Sequence, residues 1–122
     1  MYYLEDIDEF ELSQSEINDL EGVQYCVHAV VMDLSGNRIS DITNLWDLKM
    51  LEELSLADND LEDIDALANL ENLRVVNLSN NAVKDISPLM RLNKLEYVDL
   101  TGTNAHPGQV AELENSGVTV VI

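Results

Sequence analysis

Apolar residues recur along this chain with a spacing of 22 residues. One register is occupied by leucine in four successive copies, at Leu34, Leu56, Leu78 and Leu100. Four parallel registers are also apolar, and they run through Met32, Leu54, Val76, Val98; through Ile39, Leu61, Val83; through Ile42, Ile64, Ile86; and through Leu48, Leu70, Leu92. The same spacing extends to further apolar residues at both ends, which are Phe10, Leu12, Ile17, Leu20, Cys26, Val120 and Ile122. A fixed period of this length predicts a solenoid of stacked copies.

Within each copy the period of the pattern changes. The stretch LEELSL (Leu51–Leu56) alternates near its end, which is typical of a short strand. An Asn then marks a turn, and a second apolar set follows at irregular spacing. Because one copy is too small to bury its own apolar side, we expect the copies to stack into a parallel sheet on one side and short turns or 3-10 segments on the other. The pattern predicts one domain over residues 1–122, with a divergent first copy (1–26), regular copies (27–103) and a C-terminal cap (104–122).

Two polar registers repeat with the apolar ones. Asn37, Asn59 and Asn81 follow the predicted strands, where inward-turning backbone groups need partners. An Asn side chain offers both a donor and an acceptor, so we expect these residues to form an internal ladder bonded to neighbouring turns, with Ser15 and Thr103 in the same register at the two ends. The second register precedes the irregular segments, where an Asp caps free N–H groups; its members are Asp19, Asp41, Asp63 and Asp85.

The last 19 residues, NAHPGQVAELENSGVTVVI, depart from the pattern. Pro107 suits a helix start and Gly117 a helix end, so we expect a helix over about 107–115 and a strand over Val118–Ile122. That strand exposes an unpaired edge. The edge is covered by another part of the fold, pairs with a partner's strand, or is followed by further chain.

The pattern LxxLxLxxNxIxDIxxLxxL is nearly complete at Leu51–Leu70 and Leu73–Leu92. These residues resemble the leucine-rich repeat family in its short class, which is shared by bacterial internalins and by regulatory subunits of eukaryotic protein phosphatases. The resemblance covers most of residues 7–122, and its departures are Ala29, Ser15, Thr103 and the last copy. It implies an α/β solenoid, a right-handed leucine-rich repeat with a parallel concave β-sheet, that binds a protein partner through this sheet.

Strand alternation decides which residues face that partner. If the Leu34 and Leu56 registers point inward, the residues between them point outward and form the predicted partner-binding set. Its members are Val31, Asp33, Glu53, Ser55, Arg74, Val75, Asn77, Glu96, Tyr97 and Asp99. Tyr97 is favoured as an anchor because aromatic residues are enriched in binding hot spots. Trp46 lies in another register with Ala68 and Met90, where we expect it to pack at the side or back.

Charge narrows the class of partner. The chain has 24 acidic and 6 basic residues, a net charge of −18, which repels nucleic acid and anionic membranes. Such a charge either attracts basic proteins or serves only to keep the protein soluble. The leading hypothesis is therefore a non-catalytic module that binds a protein with a basic patch. The alternative is an acidic inhibitor that imitates nucleic acid and blocks a nucleic-acid-binding enzyme. Steep weakening of binding by salt distinguishes this mimicry from apolar docking.

Candidate chemistry is sparse. Cys26 falls in a core register, and His28 and His106 lie far apart in the stack, so we expect no catalytic site and no cofactor. The run Asp58–Asp65 begins like a calcium-binding loop but has Asp63 where that loop needs Gly. A single cysteine, no long apolar run and no signal-peptide pattern at the start favour a cytoplasmic monomer. The alternative is a module excised from a longer secreted or surface protein.

Overall fold

The computed structural model describes residues 8–122. Six strands form one parallel sheet in chain order: β1 (Glu9–Glu11), β2 (Val31–Asp33), β3 (Glu53–Ser55), β4 (Val75–Asn77), β5 (Tyr97–Asp99) and β6 (Thr119–Val121). Each residue pairs with the one 22 positions later, so that Val31 lies between Glu9 and Glu53. The predicted solenoid with a parallel sheet is confirmed.

The chain returns between the first five strands through short 3-10 turns, whose bounds are Val23–Tyr25, Thr43–Leu45, Asp65–Asn69 and Ser87–Arg91. After β5 the turn is replaced by helix α1 (Pro107–Asn115), with the predicted bounds. Pro107 fits the first turn of α1 because that position has no helical partner for an N–H group. Gly117, at φ +104°, occupies the left-handed conformation that commonly follows a helix end.

The core lies between the sheet and the turns. The central residue of each strand from β1 to β5 is buried, and the register of Leu34, Leu56, Leu78 and Leu100 is buried beside it. Leu12 and Ile17 of the first copy, and Val120 of the last, are only partly buried because each has a neighbouring copy on one side alone. Within residues 8–122, no helix combines the length and the apolar character needed to cross a membrane.

Asn37, Asn59 and Asn81 stand in one buried row beneath the turns that follow the strands. Asn59 Oδ1 accepts the N–H of Ile39 at 2.9 Å, and its Nδ2 donates to Leu34 O at 2.9 Å and Leu56 O at 3.1 Å. Asn37 and Asn81 make the equivalent bonds one copy earlier and one copy later. These are the contacts that the repeat pattern predicts.

The Asp register caps the irregular segments. Asp41, Asp63 and Asp85 each accept, through Oδ1, the N–H of the residue two positions later, at 2.8–3.0 Å. That N–H is the first of the 3-10 turn and has no partner within the turn. Asp19 makes the same local bond to Glu21 N, two residues before its turn begins.

One expectation was wrong in detail. The last strand is shorter than Val118–Ile122, and Ile122 is 78% exposed. Trp46 directly follows the 3-10 turn Thr43–Leu45 and is 50% exposed, whereas Leu45 and Leu48 beside it are fully buried.

Candidate functional site

The outer face of the sheet, which is the predicted concave face, is formed by the outward-pointing residues of the six strands. The pairing places them in two straight columns. The first contains Glu9, Val31, Glu53, Val75, Tyr97 and Thr119, and the second contains Glu11, Asp33, Ser55, Asn77, Asp99 and Val121. Nearly all of the predicted partner-binding residues therefore share one continuous surface.

This surface carries charge of one sign. Five of the residues in the two columns are acidic and none is basic, the acidic residues being Glu9, Glu11, Glu53, Asp33 and Asp99. Three larger side chains without charge, Val31, Val75 and Tyr97, are half-buried in the first column. The geometry thus offers a row of partly exposed contact residues flanked by carboxylates.

Part of the second column has a local structural use. Asp33 Oδ1 accepts both the N–H and the hydroxyl of Ser35, at 3.0 and 2.7 Å. Asn77 and Asp99 accept the N–H of Ser79 and Thr101 in the same way, at 2.9 Å. These bonds satisfy the backbone where the strand ends. The sequence signal is an acidic or amide residue, then Leu, then Ser or Thr, and it was visible in DLS, NLS and DLT.

Ser55 is the exception in this column. The residue two positions after it is Ala57, and within residues 8–122 no side chain accepts the Ala57 N–H, although Asn59 Nδ2 donates to the Ala57 carbonyl at 3.1 Å. Position 55 is therefore free of the capping role that Asp33 and Asn77 perform in the neighbouring copies.

Arg74 lies at the edge of the concave face and is engaged within the protein. Its Nε is 3.1 Å from Glu52 Oε1, and its Nη1 is 2.8 Å from Glu96 Oε2. The hydrogen bonds that Arg74 donates to Glu96 and Glu52 raise the pKa of the guanidinium, and the bond to Glu96 has the larger effect. These partners directly precede the strands on either side, β3 and β5, so the row Glu52, Arg74, Glu96 joins three copies. The partner-binding role predicted for Arg74 and Glu96 would require breaking or sharing these pairs.

Cys26 and His106 are two of the side chains whose chemistry could support a reaction. Cys26 is buried, and burial raises the pKa of its thiol, which disfavours the reactive thiolate. His106 is exposed at the start of α1. Among residues 8–122, no three His, Cys, Asp or Glu side chains are placed to hold a metal ion.

Comparisons with known proteins agree with this architecture. The family model described as Leucine Rich repeats (2 copies) matches residues 49–89 and 71–115. A crystal structure of internalin C2 from Listeria monocytogenes is 30% identical, with a TM-score of 0.88, over 96% of this chain and 53% of that one. A second internalin of the same organism is 25% identical, with a TM-score of 0.70, over 90% of this chain and 39% of that one.

A leucine-rich repeat protein of Leptospira interrogans shares the fold, at 23% identity and a TM-score of 0.73, over 82% of this chain and 27% of that one. The chain thus spans about half the length of internalin C2, or 53%, and a smaller share of the other two structures. A comparison with curated protein sequences finds no match.

Proteins built from these repeats generally mediate protein–protein interaction. The same family is indicated by the sheet register, by the Asn ladder and by the family match over residues 49–115. The chain belongs to the leucine-rich repeat family.

Proposed function

We propose that this chain is a non-catalytic protein–protein interaction module that binds a partner with a basic patch through its concave face. The observation that carries the proposal is the composition of the two outward columns, which hold five acidic residues and no basic one. Opposite charges across an interface speed association and exclude partners of the wrong sign. The same surface repels nucleic acid and anionic lipid, so the proposed partner is a protein.

Tyr97, Val31 and Val75 are the proposed anchors within this face. They lie in one column, on β5, β2 and β4, and each is partly exposed. A rigid aromatic ring gains contact area at a low loss of conformational entropy, which is why Tyr97 has the largest expected share of the binding energy. Asp33, Glu53 and Asp99 then pair with Lys or Arg of the partner, while Ser55 and Asn77 contact its backbone.

The proposed test compares three baits in lysate of the organism that encodes the chain. They are the wild type, the double variant Tyr97→Ala/Glu53→Lys on the concave face, and the control Trp46→Ala/Glu62→Lys away from the strands. Both variants remove one aromatic ring and reverse one charge, and all four residues lie at least partly at the surface. Thermal unfolding first establishes that both variants are folded.

We expect one protein to be captured by the wild type and the control but not by the concave-face variant. Reciprocal capture with the purified partner then confirms direct binding. Loss of capture with the control alone would instead place the site near Trp46. Repeating the capture at rising salt distinguishes two modes, because binding that depends on charge weakens steeply whereas apolar anchoring does not.

A further inference from the structure

A hollow of about 230 Å³ lies in the middle of the concave face. Its lining includes Val31, Asp33, Glu53, Ser55, Val75 and Asn77, from β2, β3 and β4. The hollow exists because Ser55 is short, whereas its register partners on either side, Asp33 and Asn77, are longer. Unlike Asp33 and Asn77, Ser55 does not accept the N–H of the residue two positions later, so its side chain has no capping role in the turn.

The walls of the hollow combine two kinds of chemistry. Glu53 is paired in register with Val31 on one side and Val75 on the other, and adjacent strands lie about 4.8 Å apart. Its carboxylate therefore stands between two apolar side chains. Glu53 forms no ion pair or side-chain hydrogen bond with any residue of the 8–122 range. Asp33 uses only Oδ1 for Ser35, which leaves its second oxygen for another donor.

We propose that this hollow receives one lysine or arginine side chain of the partner. The aliphatic stem packs on Val31 and Val75, and the cationic end pairs with Glu53 and Asp33. The inference rests on the proposed function and names the residue type that the partner inserts. Ser55 admits the side chain by its small size, and Glu53 selects it by charge.

Other side chains suit the hollow less well. An aliphatic residue such as leucine would desolvate the Glu53 carboxylate without pairing it, which is unfavourable. An acidic residue would be repelled by Glu53 and Asp33. Long basic side chains bury an apolar stem while keeping a charged end solvated or paired, and they match a site that is apolar at its walls and anionic beside them.

The test uses the whole chain, labelled with ¹⁵N, and two peptides as probes. Octalysine carries each amine on four methylenes, and octa(2,4-diaminobutyrate) carries the same amine on two. At about pH 6.5 both peptides are cationic. We expect octalysine to shift the backbone amides of Glu53, Ser55 and Val75 and to bind about fivefold more tightly than the shorter-stemmed peptide, because two methylenes gain partial burial.

Two variants examine the hollow itself. Ser55→Asn fills it with the side chain that Asn77 carries at the same register of the next copy, so the variant is compatible with the fold. Glu53→Gln removes the charge while keeping the shape, and Glu112→Gln is the matched loss of one exposed charge on α1. Octalysine binding should weaken about fivefold for Ser55→Asn and Glu53→Gln but less than about twofold for Glu112→Gln.

The outcomes distinguish this proposal from the one on which it rests. Equal affinity for the two peptides, or equal effects of Glu53→Gln and Glu112→Gln, would overturn the hollow as a lysine site. If the shifts still lay within β2 to β5, the proposed concave binding face would stand. Shifts confined to α1 or to the 3-10 turns would contradict both.

Discussion

In the middle of the solenoid each Asn side chain of the ladder forms hydrogen bonds to two copies. At the C-terminal end the same register is occupied by Thr103, whose side chain forms hydrogen bonds within its own copy. Asn81 Nδ2 donates to Leu78 O in its own copy and, at 2.8 Å, to Leu56 O in the copy before. Thr103 Oγ1 donates to Leu100 O at 2.7 Å, within its own copy. A hydroxyl has one hydrogen to donate, so Thr103 lacks the second donor of an amide.

The terminal helix bonds the preceding copy at other positions. Gln109 of α1 reaches back to that copy, where its Oε1 accepts the N–H of Ile86 at 2.9 Å and its Nε2 donates to Asp85 at 3.0 Å. The N–H of His106 donates to Lys84 O in the same copy. In the middle of the solenoid the bonds between copies run in both directions, because Asn59 donates to Leu34 O of the preceding copy and accepts the Ile39 N–H from it. The comparison teaches that the last copy is joined to its neighbour by side-chain and backbone bonds of the cap in place of an Asn of the ladder.

The largest expected effect concerns the leucine register that runs through both regions. Leu56 in the middle is fully buried, whereas Leu12 in the first copy is partly buried. We expect Leu56→Ala to lower the free energy of unfolding by about 2–5 kcal/mol, and Leu12→Ala by roughly 1–2 kcal/mol, because the end can relax into the space. Urea unfolding measures both. Equal losses would show that the end is packed as tightly as the middle.

The Asn register has the next largest effect. Asn59→Ala leaves the Ile39 N–H without its partner and removes one of the two side-chain donors to Leu34 O, so we expect a loss of about 1–3 kcal/mol. Thr103→Ala removes one bond to its own copy and should lower the free energy by about 0.5–1.5 kcal/mol. The exposed Asn93→Ala is the control for urea unfolding. An unchanged midpoint for Asn59→Ala would refute the ladder as a source of stability.

Two glycine substitutions compare how the turn after β5 and helix α1 of the cap contribute to the free energy of unfolding. Gly102 has φ +72°, a conformation that L-residues rarely adopt, whereas Gly108 lies in α1 with open space around it. We expect Gly102→Ala to lower the free energy of unfolding by about 1–2 kcal/mol. Gly108→Ala should raise it by up to about 1 kcal/mol, since alanine favours the helix. Calorimetry of the two variants should show melting temperatures displaced in opposite directions.

The smallest effect is a pH dependence at the junction between the regular copies and the cap. The backbone N–H of Ser87, then the Ser87 hydroxyl and the Gln109 side chain, hold the pKa of Asp85 below its ordinary value. A lowered folded-state pKa adds stability that is present above the unfolded pKa of about 3.9 and is lost as pH falls through the folded pKa.

Asp85→Ala should therefore melt below the wild type at neutral pH, and the difference should shrink in acid below about pH 4. Thermal melts of both proteins across this range measure it. The exposed Asp60→Ala, at a position whose side chain caps no turn, is the matched control. A difference between Asp85→Ala and the wild type that stays constant into acid would exclude the charged cap as its cause.

One structural register was readable in the sequence but was not recognised there. The residue before each ladder position has a positive φ, and this register contains Gln14, Gly36, Asp58, Asn80 and Gly102. Glycine, Asn and Asp are the residues that best tolerate this conformation. A column restricted to these types, with only Gln14 as an exception, would have predicted the left-handed turn that follows each strand from β1 to β5.

The repeat by itself determined the strand register, the ladder and the leucine core, because each depends on a spacing that recurs through the chain, and Pro107 and Gly117 predicted the bounds of α1. Only the tertiary structure decided which side chains remain at the surface and which are already engaged. Trp46 is half-exposed whereas Leu45 and Leu48 beside it are fully buried, and Arg74 is held by two glutamates. The hollow over Ser55 arises from side-chain sizes on three strands, and such a difference appears only when the copies are stacked.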